Sequence, residues 1–176
     1  TRGILGGNSI ISSLVVVSLI GDGYPTIFVA SEDVTHELDG TARLTALSYD
    51  GNILHQTFVW RACAGGLSLA DGDNDGVYEV YMGDRPMYMG DGGWGKGVRS
   101  FWAENLTVRW NHPDILCSSQ APPLADVNGD GVLDVIVSNQ RGGVSVLDSR
   151  TGSAIRKDTT RRDLPTHYQG SVHDID

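Results

Sequence analysis

At 176 residues the chain can bury one core or carry three to four small repeated units. Its net charge of −9 argues against nucleic acid or an anionic membrane surface as a partner, and no apolar run reaches the roughly twenty residues that span a bilayer. Twenty-three glycines, with 40% hydrophobic and 20% charged residues, point to a folded protein with many tight turns.

No window shows a sustained 3.6-residue apolar period, whereas short β-branched runs and period-two alternation recur, so strands are predicted throughout. The first unit, about residues 10–60, opens on an inner strand over Ser13–Ser18. The surrounding apolar run, Ile10 to Ile20, is broken by serines and has no basic segment before it, so it reads as a strand rather than a signal peptide. Gly21-Asp22-Gly23 makes a turn into a strand over Thr26–Ala30. A hairpin follows, Leu44–Ser48 with Ile53–Phe58, around Tyr49-Asp50-Gly51-Asn52.

The second unit, about residues 65–112, contains Asp71-Gly72-Asp73-Asn74-Asp75-Gly76-Val77-Tyr78-Glu79. A hard cation such as Ca²⁺ wants six to eight oxygens at roughly 2.3–2.6 Å, and a tight loop with ligands at every second residue supplies most of them. The candidates are the carboxylates of Asp71, Asp73, Asp75 and Glu79 and the backbone carbonyl of Val77. A strand over Glu79–Met82 comes next, then a loop from Asp84 to Lys96 rich in Gly, Met and aromatic residues, then a hairpin of Val98–Trp102 with Thr107–Trp110. Asn105-Leu106-Thr107 at the hairpin turn is an N-glycosylation sequon, which makes Asn105 a candidate glycan site.

The third unit, about residues 118–160, repeats the pattern. Asp126, Asn128, Asp130 and Asp134 offer side-chain oxygens and Val132 its carbonyl, ahead of the strand Val135–Val137. A short connection leads to Val144–Leu147 and an outer turn at Arg150-Thr151-Gly152. An EF-hand is the weaker alternative, because position twelve would need a bidentate Glu inside a helix and is Met82 or Val137 inside a strand. In the first unit Ser18, Ile20 and Thr26 stand where ligands would be, so that loop is expected to hold no cation. His173-Asp174-Ile175-Asp176 reads as half of another loop, making residues 168–176 the start of a fourth unit in a piece of a longer repeat protein. Strand-built repeats of roughly 40–50 residues indicate propeller blades.

The loop Asp-x-Asp/Asn-x-Asp-Gly-x-x-Asp/Glu before a hydrophobic strand, present twice, resembles the FG-GAP/VCBS repeat family, the integrin-α-like β-propeller blades. The likeness covers nearly the whole chain. It implies an all-β fold of about three four-stranded blades plus the start of a fourth, within a larger propeller. It also implies that the loop joins a blade's inner strands and binds Ca²⁺, here in a structural role. A closed propeller needs at least four blades, so the implied partners are remaining blades, other copies of the chain or a second protein.

Cys63 and Cys117 precede their respective loops at near-equivalent positions. An even count beside calcium loops suits an oxidising compartment and a disulfide stapling neighbouring blades, with two buried thiols as the alternative. The expected function is an extracellular or cell-surface, non-enzymatic module in adhesion, assembly or a fibrous structure, with carbohydrate or an extracellular protein as ligand. The alternative is a fragment of a polysaccharide lyase of the rhamnogalacturonan-lyase type, with Lys96, Arg99 and His112 as its only candidate set. Trp94, Trp102, Trp110 and Tyr88 either stack on sugar or pack between blades. The five histidines show no metal spacing, and no nucleophile elbow, P-loop or Cys-x-x-Cys is present.

Overall fold

The computed structural model describes residues 9–19, 23–33, 41–60, 66–83, 97–113, 115, 121–138 and 143–157. Among the described residues twelve strands order into three four-stranded antiparallel sheets, each a meander in which chain neighbours are sheet neighbours. The first sheet holds β1 (Ser9–Val17), β2 (Thr26–Asp33), β3 (Thr41–Leu47) and β4 (Ile53–Trp60). The second holds β5 (Leu67–Ala70), β6 (Glu79–Gly83), β7 (Val98–Trp102) and β8 (Val108–His112). The third holds β9 (Leu124–Ala125), β10 (Asp134–Ser138), β11 (Val144–Asp148) and β12 (Ala154–Lys157). This is the blade arrangement expected from the repeats; residues 168–176, the expected start of a fourth blade, lie outside the described residues.

Burial follows from the stacking. The second sheet lies between the other two, so β6 is buried on both faces and its alternation disappears. Val80 and Met82 join Phe28, Leu44 and Phe101 in the core shared with the first sheet, while Tyr81 turns the other way. There Tyr81 packs with Trp110, Val135, Val137 and Leu147 in the core shared with the third sheet. In β1 the alternation survives: Val15 and Val17 pack on the core and Leu14 and Val16 are exposed. The last strand, β12, is exposed along its length.

The first strands of the three sheets are tied side by side. Leu67 N–H donates to Ser13 Oγ (3.0 Å), and Ser68 Oγ–H donates to the Pro122 carbonyl (2.5 Å). Pro122 and Pro123 have no N–H to give a ladder, which keeps β9 to two residues. Ile136 N–H still reaches the Pro123 carbonyl at 2.9 Å.

One expectation is corrected. No disulfide bond is present among the described residues, and the staple between Cys63 and Cys117 is withdrawn; both cysteines lie outside the described residues. The second and third sheets are joined instead by the apolar core around Tyr81 and by hydrogen bonds. Trp110 Nε1–H donates to the Ser149 carbonyl at 2.6 Å, and Ser149 Oγ–H donates to the Gly72 carbonyl at 3.2 Å. Trp110 is buried between sheets, tilted against Tyr81 with ring centroids 6.1 Å apart, so it packs rather than presents a sugar platform. Trp94, Tyr88 and Lys96 lie outside the described residues.

Candidate metal centres

Both Asp-rich loops connect the first two strands of a sheet, β5 to β6 and β9 to β10. Their local hydrogen bonding is nearly superposable. The first-position carboxylate gathers loop amides: Asp71 accepts from Asp75 N–H (3.0 Å) and Gly76 N–H (2.9 Å). Asp126 accepts from Gly129 (2.7 Å), Asp130 (3.2 Å) and Gly131 (2.8 Å). The fifth position closes its own turn, with Val77 N–H on Asp75 (2.8 Å) and Val132 N–H on Asp130 (2.9 Å). Ninth-position carboxylates reach back to the second residue, Glu79 to Gly72 N–H and Asp134 to Val127 N–H, each at 3.0 Å.

This curl needs left-handed backbone twice. Position six is Gly76 (φ 89°) or Gly131 (φ 83°), and position four is Asn74 (φ 59°) or Gly129 (φ 77°). Glycine adopts this region freely and asparagine is the side chain that tolerates it best. In the first loop, ligand-type oxygens of Asp71, Asp73 and Asp75 all lie within 4.8 Å of one another.

The loops differ at the ninth position. Glu79 is 0% exposed, accepts a hydrogen bond from the Tyr81 hydroxyl (2.9 Å), and pairs through Oε1 with Arg109 Nη1 at 2.7 Å. Arg109 Nη2 also donates to Asp73 Oδ2 at 2.5 Å, and the guanidinium lies 4.3 Å from the Trp102 ring centroid. Asp134 is 1% exposed, yet its Oδ1 has no hydrogen-bond partner among the described residues. No cation pairs with it there: the exposed Arg150 reaches only Asp130 (3.5 Å) and Asp148 (2.7 Å).

Electrostatics follow. Burial pushes the Asp134 carboxyl above its ordinary range, and the neighbouring charges of Asp130 and Asp126 push the same way. Asp126 is held below its range, first by the Gly131 N–H and then by other loop amides. Burial also raises Glu79, opposed by the Gly72 N–H, the Tyr81 hydroxyl and Arg109.

The two loops touch. Asn74 Nδ2–H donates to the Gly131 carbonyl (2.8 Å) and Leu133 N–H donates to the Gly72 carbonyl (2.9 Å). A Cβ on Gly72 would overlap the Tyr81 hydroxyl and sit 2.9 Å from Ser149 Oγ, so this crossing requires glycine.

Arg109 and Tyr81 were not legible as loop partners. Arg109 stands on β8, and only the pairing of β6 to β7 and β7 to β8 carries it back to Glu79. The position-four role of Asn74 was readable from its alignment with Gly129. Of the first unit's corresponding positions, Ser18 and Thr26 are described and Ile20 lies outside the described residues. Asn105 is exposed at the β7–β8 turn, where its Oδ1 accepts from Thr107 N–H (2.9 Å) and Thr107 Oγ1–H (2.7 Å). Arg99 is buried with its guanidinium over Phe101, and His112 is half-buried.

No protein-family model matches the chain, and no curated protein matches it. What stands is an all-β domain of three four-stranded antiparallel sheets, of general propeller or solenoid type. No helix among the described residues is long and apolar enough to cross a membrane.

Proposed function

We propose that the chain is a calcium-stabilised β-propeller module of the FG-GAP/VCBS kind, serving adhesion, assembly or a surface structure outside the cell rather than catalysis. The observation that carries this reading is the Asp134 Oδ1 atom. It is buried and lacks a hydrogen-bond partner among the described residues, and its loop also bears Asp126, Asn128, Asp130 and the Val132 carbonyl. A buried carboxylate oxygen without a partner costs the fold free energy that a hard cation would return. The first loop fits the same ion through Asp71, Asp73, Asp75 and the Val77 carbonyl, with Asp73 Oδ1 likewise buried and without a hydrogen bond.

When bound, such an ion supplies positive charge and oxygen coordination that fix the hairpin between the first two strands of a blade. Sites of this charge and openness suit the millimolar calcium outside cells, and the Asn105 turn presents its sequon to solvent. Further blades or a second copy would complete the array. Calorimetric melting with millimolar calcium and with a chelator tests the module. A rise in Tm of several degrees on adding calcium is expected, and identical melts defeat the reading. Release of unsaturated product from acidic polysaccharide would favour the lyase alternative.

A further inference from the structure

The equivalent atoms of the two loops meet different neighbours. Position nine turns one oxygen to the second-residue amide in both loops, leaving Glu79 Oε1 and Asp134 Oδ1 as the second oxygens. Neither oxygen has a hydrogen-bond partner among the described residues, but Glu79 Oε1 is ion-paired with Arg109 Nη1 at 2.7 Å and no such pair is present at Asp134 there. The same guanidinium reaches position three through Asp73 Oδ2 and rests on the Trp102 ring. Its side chain is 11% exposed. A planar fork fits two carboxylates at once, and a compact ammonium would not.

We propose that Arg109 is the resident cation of the first loop. It neutralises positions three and nine from within the chain, so the first loop takes a divalent ion far more weakly than the second. This rests on the calcium reading above and sharpens it: the chain carries one strong site, built on Asp134, and one loop that keeps its shape without an ion. The physical reason is direct. An ion entering the first loop finds Glu79 and one oxygen of Asp73 already paired, and a positive charge beside it. Each loop keeps one buried carboxylate oxygen without a hydrogen bond, Asp73 Oδ1 and Asp134 Oδ1, so what separates them is the guanidinium beside the first.

The test follows the amide signals of Gly76 and Gly131, the sixth positions of the two loops, by ¹⁵N–¹H NMR while calcium chloride is added to the full chain. In the parent protein the Gly131 midpoint is expected at a calcium concentration lower than that of Gly76 by on the order of tenfold or more. Arg109→Met keeps the side-chain length, removes the charge, and is expected to bring the Gly76 midpoint to within about threefold of Gly131. Coincident midpoints in the parent, or a Gly76 midpoint unmoved by R109M, overturn the proposal. If R109M fails to fold, Asp130→Ala in the exposed second loop isolates the first: weak binding at Gly76 supports Arg109 as resident cation, and binding as tight as the parent's second loop refutes it. Silence at both amides up to about 10 mM calcium defeats the calcium reading itself, and the proposal with it.

Discussion

The two Asp-rich loops share one backbone and two solutions to the same electrostatic problem. Each crowds carboxylates into a single turn and then buries the last of them at the start of a strand. The first loop satisfies its buried Glu79 from within, through Arg109, Tyr81 and the Gly72 amide. Each leaves one buried oxygen without a hydrogen bond, Asp73 Oδ1 and Asp134 Oδ1, but the described residues place no cation beside Asp134. Loop shape is therefore set by amides folding around aspartates, while the negative charge left uncompensated is set by what a distant strand brings to position nine.

The largest effect expected separates the loops at that position. Glu79→Ala strands a largely buried guanidinium and should cost about 3–5 kcal/mol of stability, with or without calcium. Asp134→Ala removes only the acceptor for the Val127 amide and should cost about 1 kcal/mol in chelator. In millimolar calcium D134A should cost more, because the ion's contribution is lost as well. Urea melts of both variants in both buffers check the contrast, and equal costs in chelator would erase it.

Next comes the crossing that the loops share. Gly72→Ala forces a methyl group against Tyr81 and Ser149 and should lower stability by about 1–3 kcal/mol by overpacking. Asn74→Ala, at an exposed position, loses the hydrogen bond to Gly131 and part of the tolerance for left-handed backbone. Its expected cost is about 0.5–1.5 kcal/mol, read from the shift in urea midpoint. Unchanged midpoints in both variants would mean the loops are held independently.

The smallest effect is a pH dependence with two signs. Asp134 and Glu79 have raised pKa values, so the calcium-free fold binds protons more readily than the unfolded chain and gains stability as pH falls toward those values. Asp126 has a lowered pKa, so its contribution is present above its ordinary pKa and is lost as pH falls through the depressed value. Stability in chelator should therefore rise slightly from neutral to mildly acid pH before it falls. A monotonic fall from pH 7 would contradict the raised Asp134.

Much of the fold was legible because its signals are local. Short apolar and β-branched runs located Val98–Trp102, Glu79–Met82 and Val144–Leu147, and the repeated Asp-Gly turns located the joints between first and second strands. The short β5 and β9 were not assigned, since four and two residues carry no periodicity of their own. Burial of β6 on both faces depends on a sandwich that no single unit announces. The loop carboxylates were legible for the same reason as the turns, being spaced along one segment. Arg109 was not, because its partnership with Glu79 exists only through strand pairing. The disulfide failed for a related reason: near-equivalent spacing in sequence says nothing about the approach of two Cα atoms.

Crystals grown in millimolar calcium give the most direct test of the cation loops, through anomalous difference density at the second one. An ion is expected within roughly 2.3–2.6 Å of Asp134 Oδ1, with Asp126, Asn128, Asp130 and the Val132 carbonyl completing its shell. Density for water alone beside Asp134 Oδ1, at that calcium concentration, would contradict it.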